Sequence, residues 1–118
     1  KAYVKAMDLC SPRSVKLANQ FKHLVEKKFV EQRSVQYYAN ALNITPKHLS
    51  DTVKSVTGKT PSELIQNRIL LEIKVLLRSS GMTISQIGCE LNFSDQSHIT
   101  RFIKQKTGCT PLELRNNL

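Results

Sequence analysis

Three histidines, three cysteines and a serine beside a histidine are the groups in this 118-residue chain that could do covalent or metal chemistry. None is arranged to do it. His23, His48 and His98 have no i, i+4 partner and no carboxylate cluster, so no metal site is expected. Cys10, Cys89 and Cys109 are odd in number and share no metal spacing, which fits neither a zinc site nor a disulfide framework and makes a reducing cytosol the simplest setting. Ser97-His98 near Asp95 is not a nucleophile–base pair, because neighbours on one helix point in different directions and no glycine-rich oxyanion turn is present. No dinucleotide or phosphate-loop glycine motif occurs. No enzyme activity, cofactor or catalytic residue is therefore expected. Charge is the chemistry that remains. Eighteen Lys and Arg against nine Asp and Glu give +9 and a pI near 9.8, which points to an anionic partner, nucleic acid before membrane surface. No apolar run approaches the ~18 residues of a membrane span, so no membrane partner is expected and the location is cytoplasmic. Residues 1–45 carry +5 and residues 46–118 carry +4, so bulk charge does not locate a binding face.

The elements that could present that charge are written twice. Leu42-Asn43-Ile44-Thr45 returns as Leu91-Asn92-Phe93-Ser94, and His48-Leu49-Ser50 returns as His98-Ile99-Thr100. Lys54 matches Lys104, Thr57-Gly58-Lys59-Thr60-Pro61 matches Thr107-Gly108-Cys109-Thr110-Pro111, and Glu63-Leu64 matches Glu113-Leu114. The offset changes once, from 49 to 50, so the second copy has one extra residue within Ser94-Asp95-Gln96-Ser97. Such a repeat is one supersecondary unit used twice.

Each copy reads as helix, turn, helix. Ser34 can cap a helix on which Val35, Tyr38, Ala39 and Leu42 form one stripe. Asn43 tolerates the left-handed conformation that ends a helix, and Thr45 with Pro46 starts the next. Leu49, Val53 and Val56 face inward until Gly58 stops it. The second copy runs through Thr83, Ile84, Ile87, Gly88 and Leu91, turns at Asn92, and continues with Ile99, Phe102, Ile103 and Gly108. A short helix, a tight turn and a three-turn second helix is the helix-turn-helix pattern. Between the copies, Pro61 to about Ser79 predicts a helix ~27 Å long at 1.5 Å per residue. Ser11-Pro12 starts an earlier helix with Leu17, Phe21, Leu24, Val25 and Phe29 facing the first copy.

At 100° per residue, Lys47, Ser50, Asp51 and Lys54 point away from Leu49 in the first copy. Ser97, Thr100, Arg101 and Lys104 point away in the second, with His48 and His98 on the flanks. Small polar and basic groups on an exposed helix face suit the DNA major groove. Arg101 can pair bidentately with guanine, and Lys47, Lys54 and Lys104 can meet guanine or phosphate. Taken alone, a Lys/Arg face is most often simply solvated; the duplication argues for more. Two copies on one chain should dock in successive major grooves ~34 Å apart.

The repeated Leu-Asn turn, the His-hydrophobic pair, the Lys before Thr-Gly-x-Thr-Pro and the closing Glu113-Leu114-Arg115 resemble the DNA-binding domain of the AraC/XylS transcription regulators. The resemblance covers about residues 15–116. It implies an all-α, homeodomain-like fold of about seven helices, with two helix-turn-helix subdomains joined by a long central helix. It implies sequence-specific double-stranded DNA binding by a bacterial transcription regulator. The positions matching its base-reading residues are Lys47, Ser50 and Asp51, then Ser97, His98 and Arg101. Backbone contacts are implied for Thr45, His48, Lys54, Thr100 and Lys104. The chain departs from the family where Asn92 stands for the usual Gly and Gly88 for the usual Ala. Gly88 should cost ~1 kcal/mol in helix propensity. Asp51 either accepts from a cytosine amino group or pairs with Lys47 or Lys54 along the helix; the salt bridge is the favoured reading. Arg68 is expected to tie the central helix to a lobe.

The expected organisation is a tail or linker from an upstream domain over residues 1–13, a first lobe over 14–61, a linker helix over 62–80 and a second lobe over 81–118. The resemblance also implies a separate sensor or dimerisation domain, with RNA polymerase as a further partner. The alternative is a helical interaction module whose exposed faces bind RNA polymerase or a sensor domain. Asp51 and the even spread of charge are its best support.

Overall fold

The computed structural model describes residues 11–118; residues 1–10 of the tail expected over 1–13, and Cys10 with them, lie outside the described residues. Within them the chain forms seven helices and no strand: α1 (Pro12–Lys28), α2 (Val35–Ala41), α3 (Pro46–Thr57), α4 (Pro61–Ser79), α5 (Ile84–Glu90), α6 (Gln96–Thr107) and α7 (Pro111–Asn116). The all-α expectation holds, and so do the predicted limits of the central helix. Two compact units divide between Gln66 and Asn67, inside α4, so this helix belongs in part to each.

In the first unit α1 packs against α2 and α3, and α2 against α3. Ala18, Phe21, Val25 and Phe29 form the buried stripe of α1, while Leu17 and Leu24 are only half-buried. Phe21, Val25 and Phe29 face inward as expected, and Ala18 takes the inward place read for Leu17. Phe21 meets Tyr38 edge to face, with ring centroids 5.5 Å apart. The Tyr38 hydroxyl is buried and donates to the Gln32 carbonyl at 2.6 Å, as a polar atom in a core requires. Burial, and secondarily Tyr37, push the Tyr38 phenol up to about 12. Ser34 stands at the start of α2 but its hydroxyl makes no capping bond, contrary to the reading of the sequence.

In the second unit α5 packs on α6 and α6 on α7. Ile87, Leu91, Phe93, Ile99, Ile103 and Leu114 form its core with Ile69, Ile73 and Leu77 of α4. The Gly88 departure has a packing reason. A Cβ at Gly88 would stand 3.2 Å from Cγ2 of Ile99, tight for a carbon–carbon contact, so the propensity lost at glycine is set against a close approach of α5 to α6. Arg115 fastens the far end: its Nε donates to the Leu77 carbonyl at 3.1 Å and its guanidinium also reaches the Met82 carbonyl. Arg68 pairs with Glu72 one turn along α4, at 3.2 Å.

The two turns are built alike. Asn43 and Asn92 take φ of 59° and 61°, a left-handed conformation that asparagine tolerates. Gly58 and Gly108 end α3 and α6 at φ of 79° and 77°.

Candidate nucleic-acid interface

The second helix of each unit, α3 and α6, is held by one buried face and leaves the other free. In α3, Leu49, Thr52 and Val53 are buried; in α6, Ile99 and Ile103 are fully buried. Against those anchors the opposite faces are fixed in rotation. Lys47, Asp51 and Lys54 are exposed on α3, and Ser97, Arg101 and Lys104 on α6; Ser50 and Thr100 are half-buried at the margins. Each helix therefore presents small and charged side chains together along one exposed surface.

The starts of the two helices use different caps for the same geometry. The Thr45 hydroxyl accepts from the His48 backbone N–H at 3.1 Å. The Asp95 carboxylate accepts from the His98 backbone N–H at 2.8 Å. A carboxylate at a helix start satisfies an orphan donor and also meets the positive end of the helix dipole. The sequence reading did not find Asp95 as a cap, although the 50-residue offset places it opposite Thr45. Thr45 is exposed with its hydroxyl already committed to the cap.

The charged groups on the two faces differ. Lys47 Nζ lies 3.3 Å from Asp51 Oδ2, one turn apart on α3, with the two side chains 87% and 68% exposed. This is the favoured of the two roles read for Asp51. An exposed pair of this kind adds little stability, but it places a carboxylate beside Lys47 on the presented face. Arg101 carries no such neighbour on α6 among the described ion pairs.

The two histidines also differ. His48 is exposed. The His98 ring stands edge-on to Phe93 at 4.9 Å, and Phe93 in turn packs on Phe102 at 5.4 Å. Its Nδ1 lies 3.3 Å from the Ser94 backbone nitrogen and 3.1 Å from the Ser94 hydroxyl. Ser94 falls in the stretch where the second turn is one residue longer. Its role was not legible from the repeat, because its match to Thr45 says nothing of a contact with His98.

Near the end of α6, Lys104 also acts on Glu113. The Thr110 backbone N–H and hydroxyl, bonded within a capping box, hold the Glu113 carboxyl below its ordinary value, and Lys104 adds to that shift. Among the described residues no group of three or more His, Cys, Asp or Glu could hold a metal ion, and no helix is long and apolar enough to cross a membrane.

A family model described as a helix-turn-helix domain matches residues 38–117. The chain is 29% identical over 91 residues to the HTH-type transcriptional regulator ExsA of Pseudomonas aeruginosa, covering 77% of this chain and 33% of that protein. The chain spans about a third of the length of the curated relatives it matches. Its fold is similar to the C-terminal domain of AraT, a response regulator from Geobacillus stearothermophilus, with a TM-score of 0.81 at 21% identity over 92% of this chain and 88% of that one. It is also similar to the DNA-binding domain of AdpA, a global transcriptional factor solved in complex with a target DNA. There the TM-score is 0.75 at 16% identity, over 85% and 90% of the two chains.

Proposed function

The chain belongs to the AraC/XylS-type helix-turn-helix family, and from that premise we propose that it binds double-stranded DNA sequence-specifically as the DNA-reading part of a transcription regulator. The observation that carries this reading is the α6 face. Ile99 and Ile103 are locked inward while Ser97, Arg101 and Lys104 stand exposed, and α3 repeats the arrangement. A helix held this way can enter a major groove without repacking its own unit.

Within that reading the roles divide by chemistry. Arg101 pairs with a guanine edge, Ser97 lets α6 approach closely, and His98 stands beside them. On α3, Lys47 and Ser50 face the base edges, with Asp51 beside them as the partner of Lys47. Thr45, His48, Lys54, Thr100 and Lys104 meet the phosphates, which supply most of the affinity and make it salt-dependent. The two recognition helices enter successive major grooves. The length of the relatives supports a further domain, a sensor or a dimerisation module, elsewhere in the protein; RNA polymerase is the partner through which a bound regulator would act. The setting is the bacterial cytoplasm, where the DNA lies.

The alternative, a protein-docking module, has one observation in its favour. Leu71 and Val75 of α4 are 54% and 47% exposed, and they line a groove with Lys74, Arg78 and Leu118.

Selection of bound duplexes from a random pool at two salt concentrations tests the proposal. Two short motifs about one helical turn apart should enrich, with affinity falling steeply as salt rises. Arg101→Ala and Lys47→Ala should both weaken binding without unfolding the chain. Salt-sensitive binding with no enriched motif would reduce the chain to a basic surface and favour the docking module.

A further inference from the structure

The contact between Ser94 and His98 sets which face of the imidazole is offered outward. The Ser94 backbone N–H donates to Nδ1 at 3.3 Å. An amide N–H can only be accepted by a ring nitrogen with a free lone pair, so in the neutral ring the proton sits on Nε2. The Ser94 hydroxyl, 3.1 Å from the same nitrogen, can donate there as well. Phe93, itself 7% exposed and braced on Phe102, holds the ring plane. The His98 backbone N–H is taken by Asp95. Every polar group of His98 that points into the protein is thereby occupied, and the half-exposed side chain has one left, an Nε2–H that can only donate.

We propose that Ser94, in the stretch where the second turn is one residue longer, is a positioning residue that holds His98 as a fixed Nε2–H donor for a hydrogen-bond acceptor on DNA, at a base edge or a phosphate oxygen. This deepens the DNA-reading proposal and rests on it. A donor-only group rejects the amino groups of cytosine and adenine, and at a base edge it can be met by a purine N7, a guanine O6 or a thymine O4. The first unit cannot do the same. Its turn is one residue shorter, and the exposed His48 ring has no described bond to its turn like that of His98 to Ser94. The extra residue thus separates two histidines that the repeat makes look equivalent.

Two measurements on the whole chain test this. Nitrogen-15 NMR of the imidazoles, at a pH where both rings are neutral, should show His98 dominated by the Nε2–H tautomer and His48 averaged between the two; a dominant Nδ1–H form at His98 overturns the proposal. For binding, His98→Phe keeps a ring against Phe93 and removes the donor. It should lower affinity for the selected duplex by about five- to tenfold, the size of one lost hydrogen bond in a desolvated contact; a base-edge acceptor lowers the preference over random duplex as well, a phosphate acceptor does not. His98→Gln, which can donate, should recover part of it. Duplexes carrying 7-deazapurines, 6-thioguanine or 4-thiothymine, one position at a time, or single methylphosphonates then identify the acceptor. The analogue at the contacted atom should cost the native chain the same factor and cost His98→Phe nothing. If His98→Phe binds like the native chain while Arg101→Ala does not, this inference fails and the DNA-reading proposal stands. If His98→Phe weakens binding and no analogue does, the donor assignment is wrong. If the native chain enriches no motif, the underlying reading fails first.

Discussion

Where the second unit carries Arg115, the first carries Ile65, fifty residues earlier in the repeat. Ile65 is buried to within 1% and continues into the long helix α4. Arg115 sits near the end of the short helix α7 and hydrogen-bonds the Leu77 and Met82 carbonyls. One position is closed by apolar packing in one unit and by a guanidinium on backbone oxygens in the other. The same contrast runs through the turns and recognition faces. The first unit caps α3 with a hydroxyl and pairs Lys47 with Asp51; the second caps α6 with a carboxylate, ties His98 to Ser94 and leaves Arg101 exposed. Repetition fixes where the anchors lie, and the substitutions between anchors decide how each unit is fastened and what it presents.

The largest effects should come from removing the two fastenings. Ile65→Ala should cost the first unit about 2–5 kcal/mol through lost burial and a cavity. Arg115→Ala should cost the second about 2–3 kcal/mol, since a charged donor to partly buried carbonyls is worth ~1.5–3 kcal/mol. Hydrogen exchange resolved by residue checks both: protection should fall in the unit that carries the substitution. Equal loss in both units for either variant would show that they do not have separate fastenings.

Tyr38→Phe comes next, at about 1 kcal/mol for the hydroxyl it removes from the Gln32 carbonyl, and it acts on the first unit alone. The folded phenol is pushed up to about 12 from an ordinary 10. The folded state therefore holds the proton more tightly than the unfolded chain, so this stability is complete below pH 10 and is lost as pH rises through about 12. Denaturation midpoints followed across that window should fall for the native chain and stay flatter for Tyr38→Phe. The opposite sign of linkage belongs to the second unit. Glu113 is held below its ordinary value by Thr110, so its contribution is present above the unfolded pKa and lost as pH falls through the folded one. Glu113→Gln should remove that acid limb.

A smaller effect separates propensity from packing at Gly88. Gly88→Ala gains up to ~1 kcal/mol in helix propensity but sets a methyl 3.2 Å from Ile99 Cγ2, so alone it should be close to neutral. Ile99→Leu removes that branch, and Gly88→Ala made in its background should be more favourable than in the native chain. A double-mutant cycle on unfolding free energies reads the coupling; an additive cycle would mean the approach of α5 to α6 is not limited by this contact. The smallest change in stability, within about 0.5 kcal/mol, belongs to Asp51→Ala, because its pair is exposed. Its effect should appear in binding. Affinity for random duplex should rise while the selected sequence barely changes, and a relaxed sequence preference would instead make the carboxylate a base reader.

Much of this was legible in the sequence. Asn43 and Asn92 marked the left-handed turns, Gly58 and Gly108 the helix ends, and Pro46 and Pro61 the helix starts, because each requirement is local and few residue types meet it. The inward positions Leu49, Val53, Ile99 and Ile103 followed from periodicity. What did not follow was tertiary or depended on side-chain geometry. Ser34 has a capping residue's identity without its bond. Ala18 lies inside where Leu17 was expected. Gly88 read as a weakness until the nearness of Ile99 was known. The acceptors of Arg115 are 38 and 33 residues away, beyond any local pattern. At the candidate interface the helical repeat put the presented residues on one face and offered Lys47 or Lys54 to Asp51, but the choice of Lys47 and the Ser94 contact of His98 depended on side-chain geometry.

The separation of Arg115 from its acceptors also orders the making of the molecule. As the chain leaves the ribosome, the core of the first unit is complete once α4 has begun to emerge, and N-terminal units generally fold first. The second unit can gather Ile87, Ile99 and Ile103, but the Leu77 and Met82 carbonyls wait 38 and 33 residues for their guanidinium. For that interval the nascent chain holds one finished unit and one unlatched, and a chain cut before residue 115 would keep its second unit without this fastening.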